Sequence, residues 1–257
     1  MKTKPKIFES MVDFIKYRRS IDKNKTIGFV PTMGALHQGH ASLLQRASDE
    51  NDFTVLSIFV NPTQFNDPND FKNYPKTWDS DLSIATECQV DFIITPTFEQ
   101  MYPDNYRFKI SENELSQKFC GASRPGHFDG VLTVVMKLLH IADSHRAYFG
   151  EKDFQQLQLI KDMAKSFFLS TEIIGCPTLR EPSGLALSSR NSRLSPEGRE
   201  KASLIYKFIS QSSAAEEAKT KLTENGFTVD YIEDYQKRRF VAAFLEGVRL
   251  IDNVELK

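Results

Sequence analysis

The residues best equipped for chemistry lie between Pro31 and His40, which read PTMGALHQGH. His37 and His40 are three apart, with Gly39 directly before the second. That spacing puts both imidazoles on one side of a turn or a first helical turn, where each can donate a ring N–H to a phosphate oxygen. Gly34 and Gly39 let backbone approach a ligand closely. A lone histidine is more often a packing or surface residue, but a glycine-flanked pair at a strand-to-helix junction points to a bound nucleotide triphosphate. The elements around the decapeptide make that junction. Thr26–Val30 is an apolar run of strand length, and Ala41, Leu43, Leu44 and Ala47 repeat at helical spacing from Gly39 onward. The first-turn amides of such a helix lack internal partners and lie at the positive end of its dipole, so they favour an anion.

Three further groups fall at comparable places. Gln64, in Val60-Asn61-Pro62-Thr63-Gln64-Phe65, offers a donor and an acceptor to a substrate carrying hydroxyl and carboxylate groups. The stretch NDPNDFKNYP that follows reads as a loop long enough to act as a lid, or as a solvated surface loop. Phe149-Gly150-Glu151-Lys152-Asp153 runs into a helix carrying Gln156, with Lys152 either neutralising phosphate or standing as a solvated cation. Ser188, Ser189 and Arg190 come together after Gly184 and suit the β- and γ-phosphates or a departing pyrophosphate, although a polar interdomain linker has the same composition.

These groups follow strand-length runs that alternate with helical patterns: Thr26–Val30, a helix from Gly39, 53–60, a helix near 78–88, 90–94, a helix near 131–142, 147–149, a helix from Phe154, and 172–174. Such alternation predicts an α/β fold with a Rossmann-like parallel sheet that binds ligands at the carboxyl ends of its strands. Past Cys176-Pro177 the pattern becomes one helix from Pro196 to about Lys219, a strand over 227–232, and two strands about a turn at Glu246-Gly247. The expected division is therefore 1–177 for the nucleotide-binding domain and 178–257 for a smaller C-terminal α+β lid domain.

A chain of 257 residues, 40% hydrophobic and with formal charge −1, has ample core and no bulk field to recruit nucleic acid or an anionic membrane. The Lys-rich start MKTKPK lacks the apolar run of a signal peptide, and no stretch approaches a membrane span, so a cytoplasmic setting is expected. Cys88, Cys120 and Cys176 show neither disulfide nor zinc-ligand spacing and read as reduced, buried small side chains.

Taken together and in order, PTMGALHQGH, VNPTQF, RPGHFDGVLTVV, FGEKDFQQL, GLALSSRN and the late RLIDNVEL resemble the pantoate–β-alanine ligases, a family of nucleotidylyl-transferase type. The resemblance implies ATP-dependent joining of pantoate to β-alanine through a pantoyl adenylate, with AMP and pyrophosphate released, and a homodimer formed through the larger domain. Residue by residue, it implies that the segment from Met33 and Gly34 to His37, Gly39 and His40 holds ATP, with His40 as proton donor. It places Gly150, Glu151, Lys152 and Asp153, Leu187, Ser188, Ser189 and Arg190, and the backbone of Leu179 on the nucleotide. Gln64 and Gln156 match pantoate-binding positions, Gln64 also lying near β-alanine. Asp81 is the candidate ligand for Mg²⁺, with Ser80 where some members have a second aspartate. The C-terminal domain is short for the family between Tyr231-Ile232-Glu233 and Phe240, and His127, His140 and His145 read as loop, packing and structural residues.

The chemistry is consistent with these residues. A carboxylate must become a mixed anhydride before an amine can displace it, and no covalent enzyme intermediate is needed, so positioning and electrostatics do the work. Two alternatives remain at this level: a nucleotidylyl transferase that passes AMP to a phosphate substrate, and a non-catalytic nucleotide-binding regulator.

Overall fold

The computed structural model describes residues 4–256; part of the Lys-rich start and Lys257 lie outside them. In chain order the larger unit comprises β1 (Lys6–Phe8), α1 (Met11–Ser20), β2 (Ile27–Thr32), α2 (Gln38–Glu50), β3 (Phe53–Ile58), α3 (Pro68–Lys72), α4 (Trp78–Glu87), β4 (Phe92–Ile94), α5 (Phe98–Met101), α6 (Cys120–Ser123), α7 (His127–Ala142), β5 (Arg146–Gly150), α8 (Phe154–Ser166) and β6 (Glu172–Cys176). Among the described residues the six strands form one parallel sheet in the order β1-β4-β3-β2-β5-β6. The Rossmann-like reading of the sequence therefore holds. β1 is not expected from the sequence: a three-residue edge strand gives almost no periodic signal, and its register against β4 is a tertiary matter.

Successive residues of the central strands face opposite layers, as the two-residue repeat of a strand requires. Phe29 and Val55 pack with Leu132, Leu139 and Ile160 on one side, whereas Val30 and Leu56 pack with Leu44, Ala47 and Ile93 on the other. α7 is apolar almost all round and is buried accordingly. His145 belongs to this frame, its backbone N–H donating to Ile27 and its Nδ1 accepting the Ile27 N–H at 3.0 Å. His140 is exposed on the last turn of α7 and does not pack in the core, where a cation-capable ring suits the carboxyl end of the helix dipole.

The C-terminal unit contains α9 (Pro196–Ala202), α10 (Leu204–Gln211), α11 (Ala215–Glu224), and an antiparallel sheet of β7 (Thr228–Tyr235), β8 (Arg238–Leu245) and β9 (Val248–Glu255). The single helix expected from Pro196 to about Lys219 is thus divided. The main break lies at Ser212, which is extended, and the buried Arg239 guanidinium donates to the Ser212 carbonyl at 2.7 Å while pairing with Asp234. Helical periodicity continues across the break, so the division becomes visible only once β8 is in place. Both hairpins turn on two residues of positive φ, Gln236-Lys237 and Glu246-Gly247, the geometry that matches strand twist. No helix among the described residues is long and apolar enough to cross a membrane.

Candidate active site

From β2 the chain proceeds to β3 and β4 on one side, and β5 returns to pair with β2 on the other. A doubly wound sheet opens a crevice where strand order reverses, at the carboxyl ends of the two strands. Here those ends are Thr32, leading to the histidine turn, and Gly150, leading to Lys152. A cavity of about 680 Å³ lies over this point, roofed by the C-terminal unit. Its wall includes Met33, His37, Gly39, His40, Gln64, Gly150, Lys152, Asp153, Gln156, Leu179, Leu187, Ser188, Ser189 and Arg190. Gly34, Glu151 and Asp81 are not on it.

His37 caps α2: its Nδ1 accepts the Gly39 N–H at 3.1 Å, and His40 Nδ1 accepts the His37 N–H at 3.3 Å. A backbone N–H can only donate, so both Nδ1 atoms are bare and each neutral ring carries its proton on Nε2. Burial, reinforced by Lys152, lowers the His37 pKa to about 4; burial, reinforced by His37, lowers that of His40 to about 3. The rings lie 4.1 Å apart. They are neutral hydrogen-bond donors at the amino end of a helix, and an imidazole with this pKa does not carry the extra proton of a general acid near pH 7. Gly39 leaves room for this cap, since a Cβ there would come within 2.9 Å of the His37 ring.

Lys152 sits in a 3-10 turn, Glu151–Asp153, that joins β5 to α8. Its Nζ lies 3.4 Å from Asp153 Oδ2, a loose pairing that leaves the ammonium available. Burial alone would raise the Asp153 carboxyl, but Lys152 and Arg190 outweigh it and hold the group ionised below the usual range. Ser188 caps the 3-10 turn Ser189–Arg193 by accepting the Arg190 N–H, and the Leu179 carbonyl accepts the Leu187 N–H. The segment 66–75 contains the helical turn α3, and it is docked: Asp70 binds Arg190 and Arg193, each at 3.0 Å. Asp70 is therefore an anion already resting on the guanidinium assigned to phosphate.

Gln64 is fixed by groups the sequence reading passed over. Asn61, 1% exposed, donates to Gln64 Oε1 and to the Gly130 carbonyl, and accepts from Tyr102 and Thr63. Gly130 permits this contact, because a Cβ there would stand 2.5 Å from the Thr63 carbonyl oxygen. Arg124 and His127 both donate to the Gln64 carbonyl, at 3.0 and 2.8 Å. His127 is thus more than packing: a carbonyl only accepts, so Nδ1 carries the proton that anchors the Gln64 turn, and burial, which lowers the pKa to about 3, leaves Nε2 bare to accept from Arg124 at 3.1 Å. Arg124 makes no ion pair among the described residues and faces the cavity, with burial lowering its pKa to about 10. RPGHFDG signalled these residues by type, yet only the packing of α7 against the turn Pro62–Gln64 brings them to Gln64.

The assignment of Asp81 to Mg²⁺ does not fit the structure. Asp81 is 2% exposed and its carboxylate accepts from the Ala35 N–H at 3.0 Å, the Leu36 N–H at 2.8 Å and the Thr77 hydroxyl at 2.9 Å. It holds the Gly34-Ala35 bend, where both residues have positive φ and a Cβ on Gly34 would press on Asp81 itself. Among the described residues no group of three His, Cys, Asp or Glu is arranged to hold a metal ion. Asp81→Ala is expected to destabilise the fold by about 3 kcal/mol or more, since it strands two buried N–H groups, and to leave the magnesium dependence of any ATP reaction unchanged. Denaturant unfolding and a magnesium titration check this; unchanged stability with a shifted magnesium requirement would restore Asp81 as a ligand.

The family model for pantoate-beta-alanine ligase matches residues 6–255. The chain belongs to the pantoate–β-alanine ligase family. It is 57% identical to the pantothenate synthetase of Bdellovibrio bacteriovorus over 97% of this chain and 99% of that protein, and 50% identical to that of Legionella pneumophila strain Corby over 96% and 98%. Among solved structures it is similar to the pantoate-beta-alanine ligase of Francisella tularensis, complexed with beta-gamma ATP and beta-alanine: TM-score 0.93, 46% identity, 98% of this chain and 97% of that one. The pantothenate synthetase of Thermus thermophilus gives TM-score 0.87 at 38% identity over 97% and 99% of the two chains. Such mutual coverage means the C-terminal domain is not short relative to these ligases.

Proposed function

We propose that this chain condenses pantoate with β-alanine in an ATP-dependent reaction, forming pantothenate, AMP and pyrophosphate by way of a pantoyl adenylate. The observation that carries the reading is one cavity in which two neutral Nε2–H imidazoles, Lys152 and the Ser188–Arg190 turn stand beside two carboxamides. The Gln156 side chain has no hydrogen-bond partner among the described residues, and the Gln64 Nε2 faces only the Met33 sulfur at 3.3 Å, a weak acceptor. The Gln156 carboxamide and the Gln64 Nε2–H groups are thus free for a hydroxy acid, while Gln64 Oε1 stays on Asn61.

In the first half-reaction a pantoate carboxylate oxygen bonds to the α-phosphorus of ATP, and the bond to the β-phosphate oxygen breaks with its electron pair. His37, His40, Lys152 and Arg190 spread the charge that grows on the phosphates. Arg190 does so by exchanging the Asp70 carboxylate for phosphate oxygens. In the second, the β-alanine amine bonds to the acyl carbon, AMP leaves with the carbon–oxygen electron pair, and the amine gives up a proton. Enclosure by the C-terminal unit keeps water from the adenylate. Magnesium enters no step derived from these residues.

The test is exchange of labelled pyrophosphate into ATP, followed by AMP formation with each substrate omitted in turn. Exchange is expected only with pantoate, and AMP accumulation only with β-alanine added. Exchange that ignores pantoate would leave the phosphate-accepting nucleotidylyl transferase, and no nucleotide turnover would leave the regulator.

A further inference from the structure

The Lys152 turn is not held by its own domain alone. Asn253 on β9, 4% exposed, donates both hydrogens of its carboxamide into that turn, to the Glu151 carbonyl at 2.9 Å and the Lys152 carbonyl at 2.9 Å. Its Oδ1 accepts from Arg238 at 2.6 Å. A guanidinium can only donate and a carbonyl can only accept, so the carboxamide has one orientation and both contacts are specified. Arg238 in turn lies over the ring of Phe154, the first residue of α8, at 3.8 Å. The turn is thereby gripped at Glu151, Lys152 and Phe154 by two side chains of the antiparallel sheet.

The grip matters because Lys152 lacks a close partner of its own. With only the 3.4 Å contact to Asp153, the reach of its Nζ is set by where the turn places its backbone. We propose that Asn253 is a positioning residue for Lys152, so that the C-terminal sheet fixes the phosphate-binding cation of the other domain. The proposal rests on the role given to Lys152 above.

Asn253→Asp keeps size and the Arg238 contact but turns an oxygen toward two carbonyls, so the grip becomes a repulsion. Pantoate-dependent pyrophosphate exchange is expected to fall about 10–100-fold in kcat, the cost of misplacing a reacting group by about 1 Å. KM for pantoate should stay within about twofold, because Gln64 lies on another element and Gln156 belongs to α8, whose first residue Phe154 keeps its Arg238 contact in this variant. The decisive readout is the double variant: Lys152→Ala with Asn253→Asp should be no slower than Lys152→Ala alone, since Asn253 acts through Lys152. Losses that multiply would overturn the proposal, as would Asn253→Asp exchange at the wild-type rate. If Asn253→Asp fails to fold, Arg238→Gln, at a half-buried position, loosens the same carboxamide without adding charge. It is expected to lower exchange about 3–10-fold with the same non-additivity toward Lys152→Ala, and additive losses would again overturn the proposal. A wild-type enzyme without pantoate-dependent exchange would instead sink the function proposed for the whole site.

Discussion

His40→Ala is expected to slow pantoate-dependent pyrophosphate exchange about 10²–10³-fold in kcat, the loss typical of one preorganised donor to a charge that develops in the transition state. His40 Nδ1 is committed to the His37 N–H, so the contribution comes from Nε2–H, a donor aimed by the backbone and needing no reorganisation. The same substitution removes one half of the α2 cap, which should cost about 1 kcal/mol of stability. That loss is too small to unfold the chain, and the two effects separate in a thermal melt run beside the exchange assay. Full activity would remove His40 from the mechanism. The pH dependence carries its own sign. With pKa values near 3 and 4, both rings remain neutral donors down to about pH 5, so the kcat/KM profile should show no acidic limb near 6.5 from them. For stability, an unfolded imidazole takes up a proton below about 6.5 while the folded ring refuses it until about 3 or 4, so stability falls as pH drops through that window.

Lys152→Ala is expected to cost a comparable 10²–10³-fold in kcat, through loss of charge and not of a cap. The lysine is close enough to act on the charge of both histidines and is paired only loosely with Asp153, at 3.4 Å, whereas Arg190 begins on Asp70 at 3.0 Å. An independent signature accompanies the rate. Lys152 is one of the causes that lower the pKa of both imidazoles, so removing it should move the His37 and His40 titrations upward, observable by NMR of the ring protons. Unchanged titrations together with an unchanged rate would place the ammonium away from the site.

Much of the candidate site is legible in the sequence because the residues that line its cavity lie beside strong local signals. His37, His40 and Lys152 each occur where a strand signal gives way to a helical one, and Arg190 follows a glycine turn; a residue type at such a place narrows the possible chemistry. Asp81 is a different case: its assignment to magnesium came from the resemblance and not from a local signal, and only the packing of α4 beneath the Gly34-Ala35 bend shows that its oxygens accept from Ala35, Leu36 and Thr77. The roles of Arg124 and His127 are not legible in the sequence because their partner, the Gln64 turn, lies some 60 residues away.

What the sequence determined by itself was the parallel α/β frame, the helix beginning at the histidine pair, and the residue types that line the candidate site. Periodicity and capping act over a few residues, so they can be read along a chain. What only the tertiary structure decided was that β2 and β5 are neighbours across the switch in strand order, which brings the His40 and Lys152 turns to one cavity. It also decided that β9 reaches over to grip one of them. Strand order and domain contact depend on pairings between distant segments, and no local spacing encodes those.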